Sequence, residues 1–452
     1  MSTPLEKPEK VGRLAALREA IDEGAVRSAE RMINSLHPAE IAALLESLPP
    51  PRREIVWELT DPELDGEVLI ELSESVRNQL IRDMDPAELA AATEDLEVDD
   101  LADLISSLPE TATQQLLRGM DQQDRERLTR VLSWPEDTAG GLMNTDTVSV
   151  RADVSLEVVK RYLRMRGELP DKTDRLFVVD RADRFQGTLT LARLLTDDPD
   201  ELAGACLDPD APRIAPDTPA HEVARLFRDR DLLSAAVVAE GGLLLGRITI
   251  DDVVDVIDEE AAHQMMSGAG LGDEEDVFAT VAHTSRRRVV WLGVNLVTAF
   301  LAASVVRNFE STIERVAALA ALMPVVASMG GIAGTQTVTL IIRALALGQV
   351  EWRDARWLLF RELGVGGING LIAALVVGLA TTLWIGPWQI AAVIAAAMLV
   401  NLLAAAIVGT MVPLTLRRLN IDPALAAGVV LTTFTDCIGF ATLLGLGALF
   451  LG

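Results

Sequence analysis

The chain has 452 residues, half of them hydrophobic and 24% charged, with a formal net charge of −27. At roughly 150 residues per domain this length excludes a single small module and leaves room for about three domains. The acidic balance excludes a nucleic-acid binder, which needs a basic face. Two cysteines far apart, Cys206 and Cys437, exclude a disulfide framework or a thiolate metal site, which takes about four ligands.

Charge and hydropathy are segregated along the chain. Residues 286–452 hold 11 Arg, no Lys and 7 acids, a net of +4, so the first 285 residues carry −31, with 60 acids against 29 Lys and Arg. An acidic front is therefore joined to an apolar rear, and a divalent cation is the natural counterion of the front. The opening MSTPLEKPEK lacks a long apolar core followed by a small-residue cleavage site, which predicts no cleavable signal peptide. A reducing cytosol suits the front half.

From about residue 12 to 133, apolar residues recur at helical spacing behind short Pro-containing openings: HPAEIAALLESLP from His37, DPELDGEVLIELS from Asp61 and DPAELAAATEDLE from Asp85. An acid or His before Pro, with Glu just beyond, predicts an N-cap, Pro at the first helical position and acids facing the positive end of the helix dipole. Short helices that cannot each bury a face must stack, so residues 1–133 are expected to form an acidic helical superhelical bundle.

After WPEDTAGGLMNTD, residues 134–146, the period changes. Two stretches, 134–257 together, share one order of strand-like segment, amphipathic helix, strand, turn, strand and helix. One includes RLFVVD and FQGTLTLARLLTD, the other SAAVVAEGG and LLLGRITIDDVVDVIDEE. This α/β arrangement resembles a tandem pair of CBS domains, and the resemblance implies a regulatory role with an adenosyl ligand such as ATP. Gly246, Thr249 and Asp252 keep the spacing that brings Thr and Asp to a ribose, whereas the first copy has Gly187 and Thr190 but Arg193 in place of the acid.

Residues 258–285 read as a connecting, plug-like helix and linker, and 286–452 as a transmembrane domain. Apolar runs long enough to cross a hydrocarbon core of roughly 30 Å occur at about 289–306, 316–342, 363–385, 388–415 and 425–450. Arginines 286–288, 343, 353, 356, 361, 417 and 418 gather on one side. By the positive-inside rule this predicts a multi-pass protein of the inner (plasma) membrane, with a cytoplasmic N-terminus and an outside C-terminus. An odd number of spans without a visible inverted repeat favours a pore built by pairing two chains.

Asp436, inside LTTFTDCIGF, reads as the only acid deep in a span, with Thr432, Thr433 and Thr435 around it. A carboxylate in lipid is costly and normally faces a bundle interior or a wet pore. Pro324, Gly330, Gly331 and Gly334 in the second span are expected either to break or thin that helix or to serve close helix packing. Asn401 in the fourth span suits pore lining or interhelical hydrogen bonding equally.

ALMPVVASMGGIAGTQTVTLIIRALA, RRLNIDPALAAG and TTFTDCIG, with WPEDTAGGLM, the acidic helical front and five spans, resemble the MgtE family of magnesium channels. The resemblance implies a multidomain α-helical membrane protein acting as a homodimeric Mg2+ channel among membrane lipids, with Asp436 as the selectivity carboxylate. It also implies that cytosolic Mg2+ bridges the N and CBS domains and locks the connecting helix over the pore. Acids at matching positions are Asp99, Asp103, Asp231, Asp252, Asp255 and Glu260. The chain departs from the family at Ile332 after Gly330 and Gly331, at Ala261-Ala262-His263-Gln264 on the connecting helix, and at His221. With two histidines in place of acids, closure is expected to need more Mg2+ and acidification to weaken it.

The alternatives are a proton-coupled transporter using Asp436 as relay, a carrier of a broader set of divalent ions such as Mn2+ and Co2+, and a membrane Mg2+ sensor without conduction. An intramembrane metalloprotease is excluded, since four histidines include no H-E-x-x-H pair.

Overall fold

The computed structural model describes residues 26–451, apart from 95, 107, 109–112, 115, 118, 119, 121, 269 and 272–275. The helical pattern expected before residue 26 lies outside the described residues. The chain forms two compact bodies, Met1–Ala262 with Glu274–Ala279, and His263–Asp273 with Thr280–Gly452.

The first body opens with short helices α1 (Val26–Ile33), α2 (Pro38–Glu46), α3 (Pro50–Glu58), α4 (Asp65–Ile70), α5 (Glu74–Asp83), α6 (Pro86–Ala92), α7 (Val98–Ser106) and α8 (Gln122–Val131). The Pro openings form as their chemistry requires. His37 and Asp85 are N-caps completed by Glu40 and Glu88, which accept the cap backbone N–H, with Pro at the first helical position. The third opening, at Asp61, makes a 3-10 turn over Pro62–Leu64 before α4 begins. None of these helices buries a face alone; Ile41, Leu44, Leu45, Val56, Leu69 and Leu104 share one core.

Two three-stranded sheets follow. β1 (Ser149–Arg151), α9 (Leu156–Arg166), β2 (Arg175–Val179), β3 (Phe185–Thr190), α10 (Leu191–Thr196) and α11 (Ala203–Cys206) form the first unit. β4 (Arg213–Ile214), α12 (Ala220–Arg230), β5 (Ser234–Val238), β6 (Leu244–Thr249) and α13 (Ile250–Gly268) form the second. In each, the first strand pairs parallel with the second and the second antiparallel with the third. The sheets meet at Phe177, Phe185, Ala236 and Val238. The second unit shares its core with the helical front, since Val223, Phe227, Val237 and Ile248 join the same cluster as Leu104 and Leu128.

The second body contains α14 (Val281–Arg307), α15 (Glu310–Arg315), α16 (Ala318–Ala346), α17 (Ala355–Trp384), α18 (Trp388–Arg418) and α19 (Pro423–Leu451). Five of its helices are long and apolar enough to span a bilayer, over Thr284–Arg307, Ala318–Ala346, Trp352–Trp384, Trp388–Arg418 and Pro423–Leu451. α18 is the most enclosed of them; α16, α17 and α19 pack around it, and α14 packs on α19.

Of two expectations about this body, one is decided between its alternatives and one is corrected. α16 runs unbroken through Pro324 and its glycines, because the glycines serve close approach. A Cβ on Gly330 would stand 2.2 Å from Asn401 Nδ2, and one on Gly334 would stand 2.4 Å from Leu431 Cδ1. Asp436 is also not the sole acid within a span. The third helix begins at Ala355, so Glu362 lies inside it, 4% exposed, rather than in the preceding loop.

Candidate functional sites

The expected cation-sensing acids lie on two helices of the first body. α7 carries Asp99 and Asp103 one turn apart, and α13 carries Asp252 and Asp255. The structure brings these four into one electrostatic neighbourhood, together with Glu97, Asp100, Glu136, Asp251 and Glu259. Carboxylate oxygens of Glu97, Asp99 and Asp100 all lie within 4.8 Å of one another.

Asp99 is 5% exposed and accepts a hydrogen bond from Asn144 Nδ2 at 3.2 Å. Burial, then Asp252, Asp100 and Glu97, hold its carboxyl well above the usual carboxylate range. Burial followed by repulsion from Glu136, Asp100 and Glu259 pushes Asp103 up to about 7. Burial and Asp251 push Asp252 to about 7 against two lowering bonds from Thr249. Asp100 rises to about 6 through burial and Glu97. The basic groups present, Lys172 paired with Asp251, Arg247 at 4.0 Å from Glu97 and Arg77 near Asp103 and Glu259, do not balance these acids. A cluster of hard oxygen donors held against its own repulsion fits Mg2+, which prefers oxygen ligands and keeps several waters.

The remaining candidates stand apart. Asp231 is the left-handed C-cap of α12, its side chain exposed. Glu260 is exposed on α13, about 100° around the helix from Glu259, which faces the cluster. His221 is exposed in the first turn of α12. The α13 face was legible in the spacing, because Asp251, Asp255 and Glu259 fall at i, i+4 and i+8. That period adds Glu259 to the expected acids. At the ribose-type position, Thr249 Oγ1 donates to Asp252 Oδ2 at 3.1 Å and also to Asp251, while Thr249 N donates to Asp252 Oδ2 at 3.0 Å.

In the second body, Asp436 is half-buried on α19 and has no side-chain partner among the described residues. The hydroxyls beside it point elsewhere. Thr432 and Thr433 donate to Val429 O, and Thr435 donates to Leu431 O. Asn401 is fully buried and donates from Nδ2 to Val326 O at 2.9 Å, joining α18 to α16; its Oδ1 has no partner among the described residues. A cavity of about 200 Å³ between α16, α17 and α18 is lined by Gln336, Thr337, Arg361, Glu362 and Asn369 among apolar neighbours. Thr337 Oγ1 donates to Glu362 Oε2 at 3.2 Å, and Arg361 pairs with Oε1.

Fold and sites together define a multi-pass membrane protein that carries a CBS pair and an acidic helical domain. The family model MgtE, described as divalent cation transporter, matches residues 323–446; the MgtE intracellular N domain matches 36–137, and the CBS domain matches 139–198 and 203–259. Magnesium transporter MgtE of Thermus thermophilus is 33% identical over 442 residues, covering 96% of this chain and 98% of that protein. The protein of the same name from Bacillus subtilis is 25% identical, with 95% of each chain covered. A crystal structure of the cytosolic domain of the Mg2+ channel MgtE in complex with ATP is 32% identical, with a TM-score of 0.50, and covers 54% of this chain and 99% of that one. The chain belongs to the MgtE family.

Proposed function

We propose that this chain is a magnesium transporter that works as a homodimeric channel, closed when cytoplasmic Mg2+ binds its acidic front. The observation that carries the pore assignment is Asp436, a carboxylate within a span whose neighbouring hydroxyls all bond back to their own helix. An unpartnered carboxylate there needs water, a cation or a second chain. Two copies facing each other across a dimer axis would hold a still-hydrated Mg2+ through its water shell, attracting the ion without trapping it. The acids on α7 and α13 support the gating, because burial and then mutual repulsion raise their pKa values, and a bridging divalent ion relieves the repulsion. The arginines flanking the spans support a cytoplasmic front. Purified protein in liposomes should conduct Mg2+ down its gradient, and Asp436→Ala should abolish selective flux while the dimer stays folded. Equal flux of Mg2+, Mn2+, Ca2+ and Co2+ would favour the broader carrier, and flux driven by a pH gradient the proton-coupled one. Undiminished Mg2+ selectivity in Asp436→Ala would sink the pore assignment.

A second reading concerns Thr249 and Asp252, which adjoin at 3.1 Å and belong to the region shared with the solved relative described in complex with ATP. ATP is proposed to bind there, displacing the Thr249–Asp252 bond. Titration of the full chain with ATP, compared with Thr249→Ala, tests this; equal binding by both would move the site elsewhere.

A further inference from the structure

Arg53 on α3 is the largest fully buried side chain among the described residues, and its charge is satisfied from far along the sequence. Its Nε donates to Leu45 O at 2.9 Å, and Nη1 donates to Gln79 Oε1 at 3.2 Å. The fork itself grips Asp276, with Nη1 to Oδ2 at 2.7 Å and Nη2 to Oδ1 at 2.9 Å. The guanidinium lies 5.7 Å from the ring centroid of Phe278. Asp276 Oδ1 also accepts from Phe278 N at 2.9 Å, so the segment is folded into a turn that presents carboxylate and ring together. Burial raises the Asp276 carboxyl, but Arg53 and the Phe278 N–H outweigh it and hold the group below its usual range.

Helix α3 belongs to the acidic front, whereas Phe278 lies two residues before Thr280, the N-cap of the first spanning helix. A guanidinium sunk in a helical domain without its carboxylate would be an uncompensated buried charge. The bidentate geometry suits a planar carboxylate, and the ring face adds a cation–π contact. The helical front therefore contains a formed receptor, and its ligand is the segment that leads into the membrane.

We propose that the Arg53 pocket is a docking site for the Asp276–Phe278 segment of the same chain, and that this tether transmits displacement of the helical front to the first membrane helix. The transmission rests on the gating reading above; the docking does not. Hydrogen exchange over residues 276–280 should be measured on the full chain in detergent, for wild type, Asp276→Asn and Phe278→Ala. Docking predicts exchange at least about tenfold faster in Asp276→Asn, with a smaller acceleration in Phe278→Ala, which keeps the ion pair. Unchanged exchange in both variants overturns the docking. If Asp276→Asn misfolds, Phe278→Ala alone decides. In liposomes, the internal Mg2+ giving half-maximal closure should shift by threefold or more in Phe278→Ala, with maximal flux unchanged. Faster exchange with an unchanged Mg2+ response overturns the transmission. Wild-type flux that ignores internal Mg2+ overturns the gating reading and transmission together, while the docking still stands or falls on the exchange data.

Discussion

His263 Nε2 lies 3.1 Å from Asp422 Oδ2, joining the helix after the second CBS unit to the turn that opens the fifth span. Ser267 Oγ stands 3.4 Å from the same ring. The contact opposes the sign expected at this position. A histidine replacing an acid is expected to weaken closure on acidification, yet a protonated imidazole beside Asp422 forms an ion pair that acidification strengthens. Both groups are more than a third exposed, so the pair contributes about 1 kcal/mol at most, or roughly fivefold in an equilibrium. Between pH 8 and pH 6 the pair should therefore lower the internal Mg2+ needed for half-closure by fivefold or less, against the rise that protons on the α7–α13 acids cause. His263→Glu should remove that offset and leave only the rise, because it sets two carboxylates together and restores a need for a bridging cation. An equal pH response in His263→Glu would assign it to other groups.

A second pH dependence follows from the cluster on α7 and α13. Asp103 and Asp252 are pushed to about 7 and Asp100 to about 6, against an ordinary value of 3.8. Between pH 4 and 7 the folded chain holds protons that the unfolded chain releases, so stability falls as pH rises through that window and stays lost above it. Groups held low, such as Asp153 and Asp180, act only at lower pH. Without divalent ions the melting temperature of the front should be higher at pH 5.5 than at pH 8 by about 5 °C. Mg2+ should raise it mainly at pH 8, where protons no longer neutralise the cluster. Equal stabilisation by Mg2+ at both pH values would show that it binds elsewhere.

Much of this arrangement was legible in the sequence where local chemistry decides it. The caps at His37 and Asp85, the repeated strand-helix order and the five spans each follow from a few adjacent residues. The α7–α13 cluster was half legible. The acids were visible, but which of them face each other depends on the packing of the second CBS unit against the helical front. Contacts set by tertiary structure alone were not legible. Arg53 and Asp276 are 223 residues apart, and neither is distinctive in its own segment. Glu362 was misread for a different reason. The charge pair Arg361–Glu362 resembles a loop end, and the bond from Thr337 on α16, which stabilises the carboxylate inside a helix, comes from 25 residues away.

Gly330 and Asn401 test the packing of α16 on α18. A methyl group on Gly330 would stand 2.2 Å from Asn401 Nδ2 and displace a side chain that is fully buried and bonded to Val326 O. Gly330→Ala should destabilise the membrane body by about 1–3 kcal/mol in detergent unfolding. Gly330→Ala with Asn401→Ala should recover part of that loss, since the second change vacates the space and removes the unpaired Oδ1. Strictly additive losses would mean that the two residues do not share the strain.

Glu362 separates a structural ion pair from a station on the ion path. Its carboxylate is 6% exposed, accepts from Thr337 and pairs with Arg361, whose side chain is 47% exposed. Removing one member leaves the other uncompensated, and the half-exposed arginine puts the cost near the low end of the usual range, about 3 kcal/mol. Removing both removes the desolvation penalty along with the attraction. Arg361→Leu with Glu362→Leu should therefore be more stable in detergent than Glu362→Leu alone, and it should still carry Mg2+, because Asp436 is untouched. The cavity beside the pair has the polar groups to hold water, with Gln336 and Asn369 in its wall. If the folded double variant loses Mg2+ flux while single Arg361→Leu keeps it, the carboxylate itself is needed by the ion. Glu362 would then be assigned to the conduction path alongside Asp436.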